Sequence, residues 1–428
     1  MIYQEACTWL DQHQFFKIKL GLETTRELLE ELGNPQNKLK IIHIAGTNGK
    51  GSVGATLLAC LSAGGYRTGF YSSPHLHSVR ERFRIGNTWI SEADFTDLIT
   101  RLAAFLEGRP HPTYFELTTV LALLWFAHQE AEVVILETGM GGRLDATNVV
   151  TPFVSIITDI SRDHEQYLGN TIAAIAGEKA GIIKAAIPVV FSGREPEALP
   201  VIVARCREQS SPLSLLGRDF HSLATAGGLD YTTTLDGSHN HFPVALQGAH
   251  QIINTSLALN ALEILQQLLP LSYEQIRCGL SQVHWPGRME LVQLSFQGKN
   301  IRILFDGAHN EAGVSQLSQS LRKGYPRKSL LLLWGNMADK VMGEAFELLL
   351  DLTDTLILTR AESERSATPQ SLWKLLPQAI QKNASCIEPA AVALEHALQQ
   401  ATESDLICVA GSLYLVGKIR HLLLKKEA

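Results

Sequence analysis

A glycine-rich loop near the start of the chain has the residue types of a phosphate site. Residues 41–60 read IIHIAGTNGKGSVGATLLAC, in which a short apolar run precedes a turn and then an apolar helical pattern. Glycines in such a turn let the backbone bend tightly and direct N–H groups at phosphate oxygens, and the helix start adds its positive end. Lys50 could neutralise phosphate charge, while Thr47 or Ser52 could reach a bound Mg²⁺. The stretch therefore predicts a site for nucleotide phosphates.

The spacing of this loop differs from the common form, G-x-x-x-x-G-K-[ST]. Gly51 stands between Lys50 and Ser52, and Ile44 occupies the place of the first glycine. A glycine-rich turn between unrelated elements is the alternative interpretation. The strand–loop–helix context nevertheless favours phosphate binding.

A carboxylate is expected at the end of a neighbouring strand, because a phosphate loop usually works with one that holds Mg²⁺. The apolar run VVILETG contains Glu137 at its end, where a buried carboxylate would be costly without a partner. The loop that follows at 139–148, GMGGRLDATN, has three glycines, Arg143 and Asp145. Loops at the carboxyl ends of parallel strands bind ligands in α/β folds, so this loop is a second candidate for ligand contact.

Apolar runs of strand length that alternate with helical patterns must position these residues. This alternation predicts parallel sheets with helical crossovers. In the first part of the chain the predicted strands lie at 40–46, 131–139, 153–161 and 187–193, and the predicted helices begin near Lys50 or cover 117–130, 171–183, 195–208 and 251–268. In the second part the predicted strands lie at 300–310, 328–336, 354–360 and 405–412, before a last helix at 413–426.

The predicted fold class is α/β, with an N-terminal P-loop mononucleotide-binding domain that has a mainly parallel sheet and a smaller C-terminal Rossmann-like domain. Pro286 and Gly287 interrupt helix and strand signals alike in HWPGRME. We therefore predict one domain at 1–287 and another at 288–428. The segment 209–245 predicts turns and short antiparallel strands, as in an insertion.

Composition argues against several classes of protein. The 428 residues carry a net charge of −6, which argues against a surface for nucleic acid or anionic membrane. The six cysteines are scattered without a C-x-x-C pair, as free thiols in a reducing compartment would be. The first residues lack a signal-peptide pattern, and the longest apolar run, 117–127, is too short to span a bilayer. We expect a cytoplasmic protein with no nucleic-acid and no membrane partner.

Ten motifs resemble, in order, those of the folylpolyglutamate synthases, which belong to the Mur-ligase-like ATP-dependent amide ligases. They are GTNGKGS, YSSPHL, ERF, ETGMGGRLDATN, DHEQYLG, EKAGIIK, GAHQIIN, PGRME, DGAHN and AGSLYLVG, and the resemblance covers residues 15–425. In this family a glycine after the loop lysine is normal. The resemblance implies that ATP phosphorylates a carboxylate, that the amino group of glutamate attacks the acyl phosphate, and that a tetrahedral intermediate collapses to an amide and phosphate.

The resemblance implies a role for each matching residue. The ATP phosphates would be held by Gly46, Thr47, Asn48, Gly49, Lys50, Gly51 and Ser52, and further ATP contacts would come from Asn254, Arg288 and Asp306. Mg²⁺ would be held, as two ions, by Ser73, Glu137 and His164. Lys179 matches a lysine that the family carbamylates, and the catalytic group would comprise Lys50, Glu137, His164, Lys179 and His309. The resemblance also allows a monovalent cation.

Without the family, several of these residues would be interpreted differently. His164 would be a local cap or core histidine, and Lys179 an ordinary lysine on a helix surface. Asp306 and His309 could simply form a turn after a strand. These alternatives remain open at the level of sequence.

Two departures from the family pattern fall near the predicted metal residues. Thr138 stands where a valine is usual, and Arg162 adds a positive charge two residues before His164, at the second metal site. The histidines of SPHLHS at 73–78 and HNH at 239–241 lack a third metal ligand at a fitting spacing. We therefore interpret the HNH histidines as solvent-exposed.

The motifs TYFELTT and RLDATN resemble those of the bifunctional bacterial enzymes, which also make dihydrofolate from dihydropteroate. With ERF, the resemblance would place five residues near the pterin or folate: Arg82, Thr113, Phe115, Asp145 and Ala146. An aromatic ring can stack on a pterin and a carboxylate can accept from its N–H donors, although core packing is an equal alternative for Phe115. The resemblance thus implies a monomeric enzyme acting on ATP, L-glutamate and dihydropteroate or tetrahydrofolate (poly)glutamates.

Four alternative functions fit the sequence less well. A folylpolyglutamate synthase without the dihydropteroate reaction is the nearest alternative, and a peptidoglycan-precursor ligase would use the same chemistry but fits AGSLYLVG and RLDATN less well. A nucleotide-binding switch would need N-K-x-D, which the chain lacks, and a catalytically dead scaffold would not need every metal and phosphate position. We also expect the two domains to close over ATP and acceptor about the PGRME segment, because water would otherwise hydrolyse the acyl phosphate.

Overall fold

The computed structural model describes residues 1–15, 21–109, 111–233, 237–340, 342–361 and 366–427. The chain forms two compact units: unit 1 comprises 1–245 and 251–283, and unit 2 comprises 246–250 and 284–428. Each unit is an α/β structure with its own sheet. No helix in the described part of the chain is both long and apolar enough to cross a membrane.

The first part of the chain, up to residue 281, alternates helices and strands. Its helices are α1 (Tyr3–Asp11), α2 (Glu23–Glu31), α3 (Lys50–Ala63), α4 (Glu92–Phe105), α5 (Tyr114–His128), α6 (Glu165–Leu168), α7 (Ile172–Ala180), α8 (Leu199–Glu208), α9 (His250–Ile264) and α10 (Tyr273–Ser281). Its strands are β1 (Ile41–Ala45), β2 (Thr68–Tyr71), β3 (Phe83–Ile85), β4 (Thr88–Trp89), β5 (Val133–Glu137), β6 (Val154–Ile157), β7 (Val189–Phe191), β8 (Leu213–Leu215), β9 (Phe220–Thr225), β10 (Gly228–Thr233) and β11 (His239–Pro243). Short 3₁₀ turns cover Gln12–Phe15, Pro35–Lys38, Val79–Arg82 and Ala146–Val149.

The main sheet of unit 1 has the strand order β4-β3-β2-β5-β1-β6-β7-β8. Strands β2, β5, β1, β6, β7 and β8 run parallel to their neighbours, while β3 and β4 are added antiparallel at one edge. The central strands β1 and β5 are buried along their whole length, as expected for a parallel sheet covered by helices on both faces. The prediction of a mainly parallel sheet is confirmed.

Helix α3 packs closely on this sheet because it carries a glycine at the contact. A Cβ on Gly54 would lie 2.3 Å from the ring of Phe70 in β2, so a larger residue would push the helix away from the sheet. This contact sets a short distance between α3 and the sheet. That distance matters because the phosphate loop runs directly into α3.

Unit 2 contains a second, six-stranded sheet. Its strands are β12 (Glu290–Phe296), β13 (Lys299–Phe305), β14 (Leu330–Trp334), β15 (Thr355–Leu358), β16 (Ala384–Cys386) and β17 (Leu406–Ala410). Its helices are α11 (Glu311–Gly324), α12 (Glu344–Leu350), α13 (Pro369–Lys374), α14 (Gln378–Gln381), α15 (Ala390–Gln400) and α16 (Leu413–Glu427). The strand order is β12-β13-β17-β14-β15-β16, and only the β12–β13 pair among these described strands is antiparallel.

Two predicted elements differ in the structure. The helix predicted at 251–268 ends at Ile264, because the chain turns tightly over Leu265–Leu269 and Pro270 cannot continue the helix. Within 209–245, β8 joins the main sheet parallel to β7, and only β9–β11 form the expected antiparallel strands. Residues 234–236 of that segment lie outside the described part of the chain.

Candidate active site

The phosphate loop, residues 46–52, is held in shape by the loop that follows β6. The Thr47 N–H donates to the Asp159 carbonyl at 2.7 Å, and the Thr47 hydroxyl donates to the Ser161 carbonyl at 3.0 Å. The Thr158 hydroxyl donates to the Asn48 carbonyl at 2.7 Å. Gly49 has φ of +91° and immediately precedes α3. The loop therefore has a defined backbone and leads into a helix N-terminus, as an anion site requires.

Two lysines converge on one carbonyl of this loop. Lys50 Nζ donates to the Gly46 carbonyl at 3.0 Å and to the Thr47 carbonyl at 3.2 Å, and Lys179 Nζ donates to the Gly46 carbonyl at 2.9 Å. Lys179 is only 3% exposed. Burial, with a smaller effect of the nearby Lys50 cation, lowers the pKa of Lys179 to about 7. A buried amine with this pKa is present partly as a neutral nucleophile at neutral pH.

The interpretation of Lys179 as a surface lysine was wrong. Helix α7 buries Ile172, Ile175, Ala176 and Lys179, which are spaced as one face of a helix. A lysine on the buried face of a periodic apolar pattern is a signal of function that the sequence did contain.

Helix α9 supports the same loop through two amides. Gln251 Nε2 donates to the Ser52 hydroxyl at 3.3 Å, and Asn254 Nδ2 donates to Gln251 Oε1 at 2.9 Å. A Cβ on Gly49 would lie 2.4 Å from Asn254 Oδ1, so the Asn254 amide lies directly against the loop. Gln251 was not among the predicted site residues, although it lies in the motif GAHQIIN that gave Asn254.

The other predicted metal residues follow neighbouring strands at the carboxyl edge of the sheet. In the order β2-β5-β1-β6, Ser73 follows β2, Glu137 ends β5, the phosphate loop follows β1, and His164 lies beyond β6. Glu137 pairs in register with Ile44, two residues before Gly46, and is 4% exposed. Ser73 and Glu137 thus flank one side of the phosphate loop, and His164 belongs to the other side.

This donor set fits Mg²⁺. The ion prefers hard oxygen ligands and usually takes one or two protein carboxylates, with phosphates and waters completing its shell. Glu137, a buried carboxylate at the end of the strand next to β1, and Ser73, a hydroxyl that follows the next strand along, supply such oxygen atoms at the edge where the phosphate loop lies. Among the described residues no group of three or more His, Cys, Asp or Glu side chains could hold a metal ion.

His164 has an unusual backbone. Its φ is +51°, a left-handed conformation that is uncommon outside glycine, and it precedes the short helix α6. Its N–H donates to Asp163 Oδ1 at 2.8 Å, and its Nε2 lies 3.9 Å from the same oxygen. The side chain is 36% exposed. His164 is therefore partly exposed on a tight turn. This position fits a residue that caps α6, and it fits a metal ligand equally well.

The 139–148 loop is organised around the Asp145 carboxylate. Asp145 Oδ2 accepts from the Met140 N–H at 2.9 Å, and Oδ1 accepts from the Thr147 N–H at 3.1 Å and the Thr147 hydroxyl at 2.6 Å. Burial raises the pKa of Asp145, while these hydrogen bonds act in the opposite direction. The carboxylate thus draws both ends of the loop together.

Helix α7 holds the outer side of the same loop. The Arg143 N–H donates to the Glu178 carbonyl at 2.7 Å, and the Arg143 guanidinium pairs with the Glu178 carboxylate at 2.6 Å. Asn148 Nδ2 donates to the Arg143 and Gly181 carbonyls at 2.9 and 3.0 Å. The loop is consequently fixed next to the residue that precedes Lys179.

Three more of the predicted pterin residues lie at the start of α5 and in the Ala146–Val149 turn. The half-buried Phe115 ring lies against Gly139, since a Cβ there would be 2.6 Å from the ring. Thr113 caps α5: its hydroxyl accepts from the Glu116 N–H at 3.3 Å and donates to the Glu116 carboxylate at 2.8 Å. Ala146 begins the buried 3₁₀ turn after Asp145. Phe115 therefore contacts the 139–148 loop directly, whereas Thr113 fixes the start of α5.

Arg82, the remaining predicted pterin residue, donates a hydrogen bond to a histidine and lies over an aromatic ring. Its Nε donates to His75 Nδ1 at 2.9 Å, and its guanidinium lies 5.3 Å from the centroid of the Tyr114 ring. Burial, and secondly the Arg82 cation, lower the pKa of His75 to about 3, so His75 accepts as a neutral ring. The arginine joins the YSSPHL segment to the start of α5.

In unit 2 the DGAHN segment forms a tight turn after β13. Asp306 accepts from the Met289 and Ala308 N–H groups, each at 2.9 Å, and the Gly307 N–H donates to the Gly287 carbonyl at 2.9 Å. A Cβ on Gly307 would lie 2.6 Å from Arg288 Nη1. His309 Nδ1 lies 2.7 Å from the Gly307 carbonyl. Arg288, Asp306 and His309 are therefore brought together within unit 2.

The chain matches two models of the Mur ligase family. The Mur ligase middle domain matches residues 44–262, and the Mur ligase glutamate ligase domain matches residues 287–413. The chain is 32% identical to a dihydrofolate synthase/folylpolyglutamate synthase of Bacillus subtilis over 98% of its own length and 99% of that protein. It is 33% identical to a folylpolyglutamate synthase of Lacticaseibacillus casei, over 93% of each chain.

Solved structures agree with these relatives. Escherichia coli FolC in complex with DHPP and ADP superimposes with a TM-score of 0.87 at 29% identity, covering 99% of this chain and 98% of that one. The chain therefore belongs to the Mur ligase family, among the dihydrofolate synthases and folylpolyglutamate synthases. The family that the motifs indicated is confirmed, and so is the α/β fold class that the alternating strand and helix patterns predicted.

Proposed function

We propose that the chain is an ATP-dependent ligase that joins L-glutamate to dihydropteroate, giving dihydrofolate, and to tetrahydrofolate (poly)glutamates, with release of ADP and phosphate. One observation carries the proposal: a phosphate loop with converging lysines, a buried strand-end carboxylate and the 139–148 loop lie at one edge of the unit 1 sheet. Relatives with both activities in their name match almost the whole chain.

The proposed reaction proceeds through an acyl phosphate. An oxygen of the acceptor carboxylate attacks the γ-phosphorus of ATP, and the bond to the β-phosphate oxygen breaks as ADP leaves. The amine nitrogen of glutamate then attacks the acyl carbon, loses a proton, and phosphate departs with the electrons of the C–O bond. Loop N–H groups and Lys50 would hold the phosphates that carry the developing charge.

Metal ions have defined candidate ligands in this scheme. Ser73 and Glu137 would hold one Mg²⁺ beside the phosphate loop, and His164 would belong to a second site. Bound Mg²⁺ would neutralise phosphate oxygens. Asn254, Arg288, Asp306 and His309 keep the nucleotide roles that the resemblance implies. A monovalent cation is retained only as a prediction.

Carbamylation of Lys179 belongs to the same proposal. The neutral amine would attack the carbon of CO₂ and release one proton to water, leaving a carbamate anion. Burial of Lys179 and the adjacent Lys50 cation support the change, because a second cation there is disfavoured and an anion would be attracted. The carbamate would offer Mg²⁺ an oxygen ligand near the nucleotide phosphates.

The relatives differ in the acceptors that their names and complexes indicate. The DHPP complex of the Escherichia coli relative supports a dihydropteroate reaction, whereas the Lacticaseibacillus casei relative is named for folylpolyglutamate synthesis alone. The free cysteines among the described residues support the predicted cytoplasmic location. A monomeric state remains a prediction.

The deciding experiment measures glutamate-dependent phosphate release from ATP and Mg²⁺. One reaction receives dihydropteroate and the other receives tetrahydrofolate, and omission of glutamate is the control. Turnover with both acceptors is expected. Turnover with tetrahydrofolate alone would reduce the function to folylpolyglutamate synthesis, and the absence of turnover with either acceptor, despite ATP binding, would refute the proposal.

A further inference from the structure

A buried histidine of β1 lies beneath the 139–148 loop. His43 is fully buried, and its Nε2 lies 2.8 Å from the hydroxyl oxygen of Thr147, which is fully buried as well. The same hydroxyl lies 2.6 Å from Asp145 Oδ1. Three polar groups therefore form a chain from the middle of the sheet to the carboxylate that organises the loop.

The direction of each hydrogen bond follows from chemistry. A carboxylate only accepts, so the Thr147 hydroxyl donates its single proton to Asp145. The hydroxyl oxygen must then accept from His43, which fixes the His43 tautomer with its proton on Nε2. His43 Nδ1 is buried and has no hydrogen-bond partner among the described residues, consistent with an unprotonated nitrogen there. Burial lowers the pKa of His43 to about 3, so the imidazole stays neutral at working pH.

A buried histidine at this position costs folding free energy. The neighbouring residues of β1, Ile42 and Ile44, are fully buried and apolar, and an apolar residue at 43 would avoid the desolvation of an imidazole. The histidine instead places one donor under the 139–148 loop. Because His43 lies three residues before Gly46 on the strand that leads into the phosphate loop, the chain of hydrogen bonds joins the two loops through one strand.

We propose that His43 is a positioning residue for the acceptor substrate: through Thr147 it sets the orientation of the Asp145 carboxylate and the path of the 139–148 loop relative to the phosphate loop. The inference rests on the proposed function and deepens it, since it names two buried residues that determine acceptor affinity without touching the acceptor. It concerns only residues of unit 1.

The test compares two substitutions at Thr147. Thr147→Val keeps the shape of the side chain but removes the hydroxyl, whereas Thr147→Ser keeps the hydroxyl. We expect Thr147→Val to raise KM for dihydropteroate about tenfold, the loss expected for one hydrogen bond to a charged group, and to leave KM for ATP within about twofold. Thr147→Ser should stay within about twofold of the unsubstituted enzyme for both substrates.

A second pair of substitutions tests the histidine itself. His43→Gln retains a side-chain N–H that can reach Thr147, and His43→Leu does not. We expect His43→Leu to raise KM for dihydropteroate as Thr147→Val does, His43→Gln to restore most of the affinity, and the double variant His43→Leu/Thr147→Val to be no worse than either single variant.

The outcomes separate this inference from its alternatives. Equal KM values for Thr147→Val and Thr147→Ser, or a rise in KM for ATP as large as that for dihydropteroate, would overturn it. If His43→Leu and Thr147→Val do not fold, the conservative variants His43→Gln and Thr147→Ser still test the inference. A strongly raised KM for dihydropteroate in either of them would contradict it. Failure of the proposed function would appear instead as no turnover in the unsubstituted enzyme.

Discussion

Glu137 is the residue on which the predicted metal site depends most directly. Its carboxylate is buried at the end of β5, in register with the strand that leads into the phosphate loop. Glu137→Gln keeps the size of the side chain but removes the negative charge, and several kcal/mol of metal-assisted charge stabilisation correspond to a fall in kcat of about 10³-fold. Steady-state ADP release measured over a range of Mg²⁺ concentrations checks this.

The matched control is Glu107→Gln, at an exposed glutamate just beyond α4. It should leave kcat unchanged, because its carboxylate is already solvated. Circular dichroism of both variants should match that of the unsubstituted protein. A normal rate for Glu137→Gln would remove this residue from the metal site.

The activity of the enzyme is expected to depend on CO₂, because Lys179 would lose its carbamate when CO₂ is removed. Enzyme kept in CO₂-free buffer should lose most of its activity, and bicarbonate should restore it. Carbamate formation needs the neutral amine, and the pKa of about 7 means that the neutral fraction falls as the pH drops through 7. Restoration should therefore weaken on the acid side of this value and strengthen above it.

A spectroscopic measurement links this effect to the residue. With ¹³C-bicarbonate, the enzyme should give one carbamate resonance that Lys179→Arg lacks, because the guanidinium keeps the positive charge and forms no carbamate. Full activity in CO₂-free buffer, with no such resonance, would contradict the modification.

Sequence and structure differ most at single polar residues inside the fold. The motifs predicted Lys50, Glu137 and Lys179, because each of these residues lies within a contiguous stretch of sequence that can be recognised by itself. His43 and Gln251 were missed, since their partners lie 104 and 199 residues away in the sequence and such pairs are created only by strand order and helix packing. The apolar periodicity of α7 would have revealed the burial of Lys179.

Among the elements, the start of α3 depends most on a single residue. Gly49 has φ of +91°, and a Cβ there would lie 2.4 Å from Asn254 Oδ1. Gly49→Ala must therefore distort the phosphate loop or displace α9, with strain of about 1–3 kcal/mol. We expect the KM for ATP to rise about tenfold or more, since 1.4 kcal/mol corresponds to a factor of ten.

Calorimetric titration with a non-hydrolysable ATP analogue gives the affinity directly. Gly324→Ala is the control, because Gly324 ends α11, has no positive φ, and a Cβ there would meet no atom within 4 Å. It should leave the affinity unchanged. Equal affinities of Gly49→Ala and the unsubstituted protein would mean that the loop does not hold the nucleotide.

The buried strands that lie within continuous apolar runs were the elements that sequence predicted best. Strands β1, β5, β6 and β7 lie within the predicted runs, because continuous apolar stretches between glycines and polar loops are typical of central parallel strands. Strand β2 was missed, since TGFY contains only two apolar side chains in sequence and is defined by its parallel pairing with β5. The antiparallel strands β3 and β12 were missed for the same reason: their partners, rather than their own pattern, make them strands.

For the whole molecule, the family relation covers both units, whereas the boundary at 287/288 and closure about PGRME stay predictions. Crystal structures with and without ATP would test the closure. Within unit 1, the strand order brings the phosphate loop and the 139–148 loop to one edge of a single sheet. Under the proposed function, this edge is the one place at which the acceptor carboxylate would meet ATP.

A single acceptor site makes a prediction about mixed substrates. If dihydropteroate and tetrahydrofolate use the same site, each must exclude the other. With both acceptors saturating, the rate of ADP formation should lie between the two separate rates, because the occupied fraction is shared. Initial rates in a coupled ADP assay, with each acceptor alone and with both, measure this. A mixed rate equal to the sum of the separate rates would require two independent acceptor sites, and the 139–148 loop could then account for only one of them.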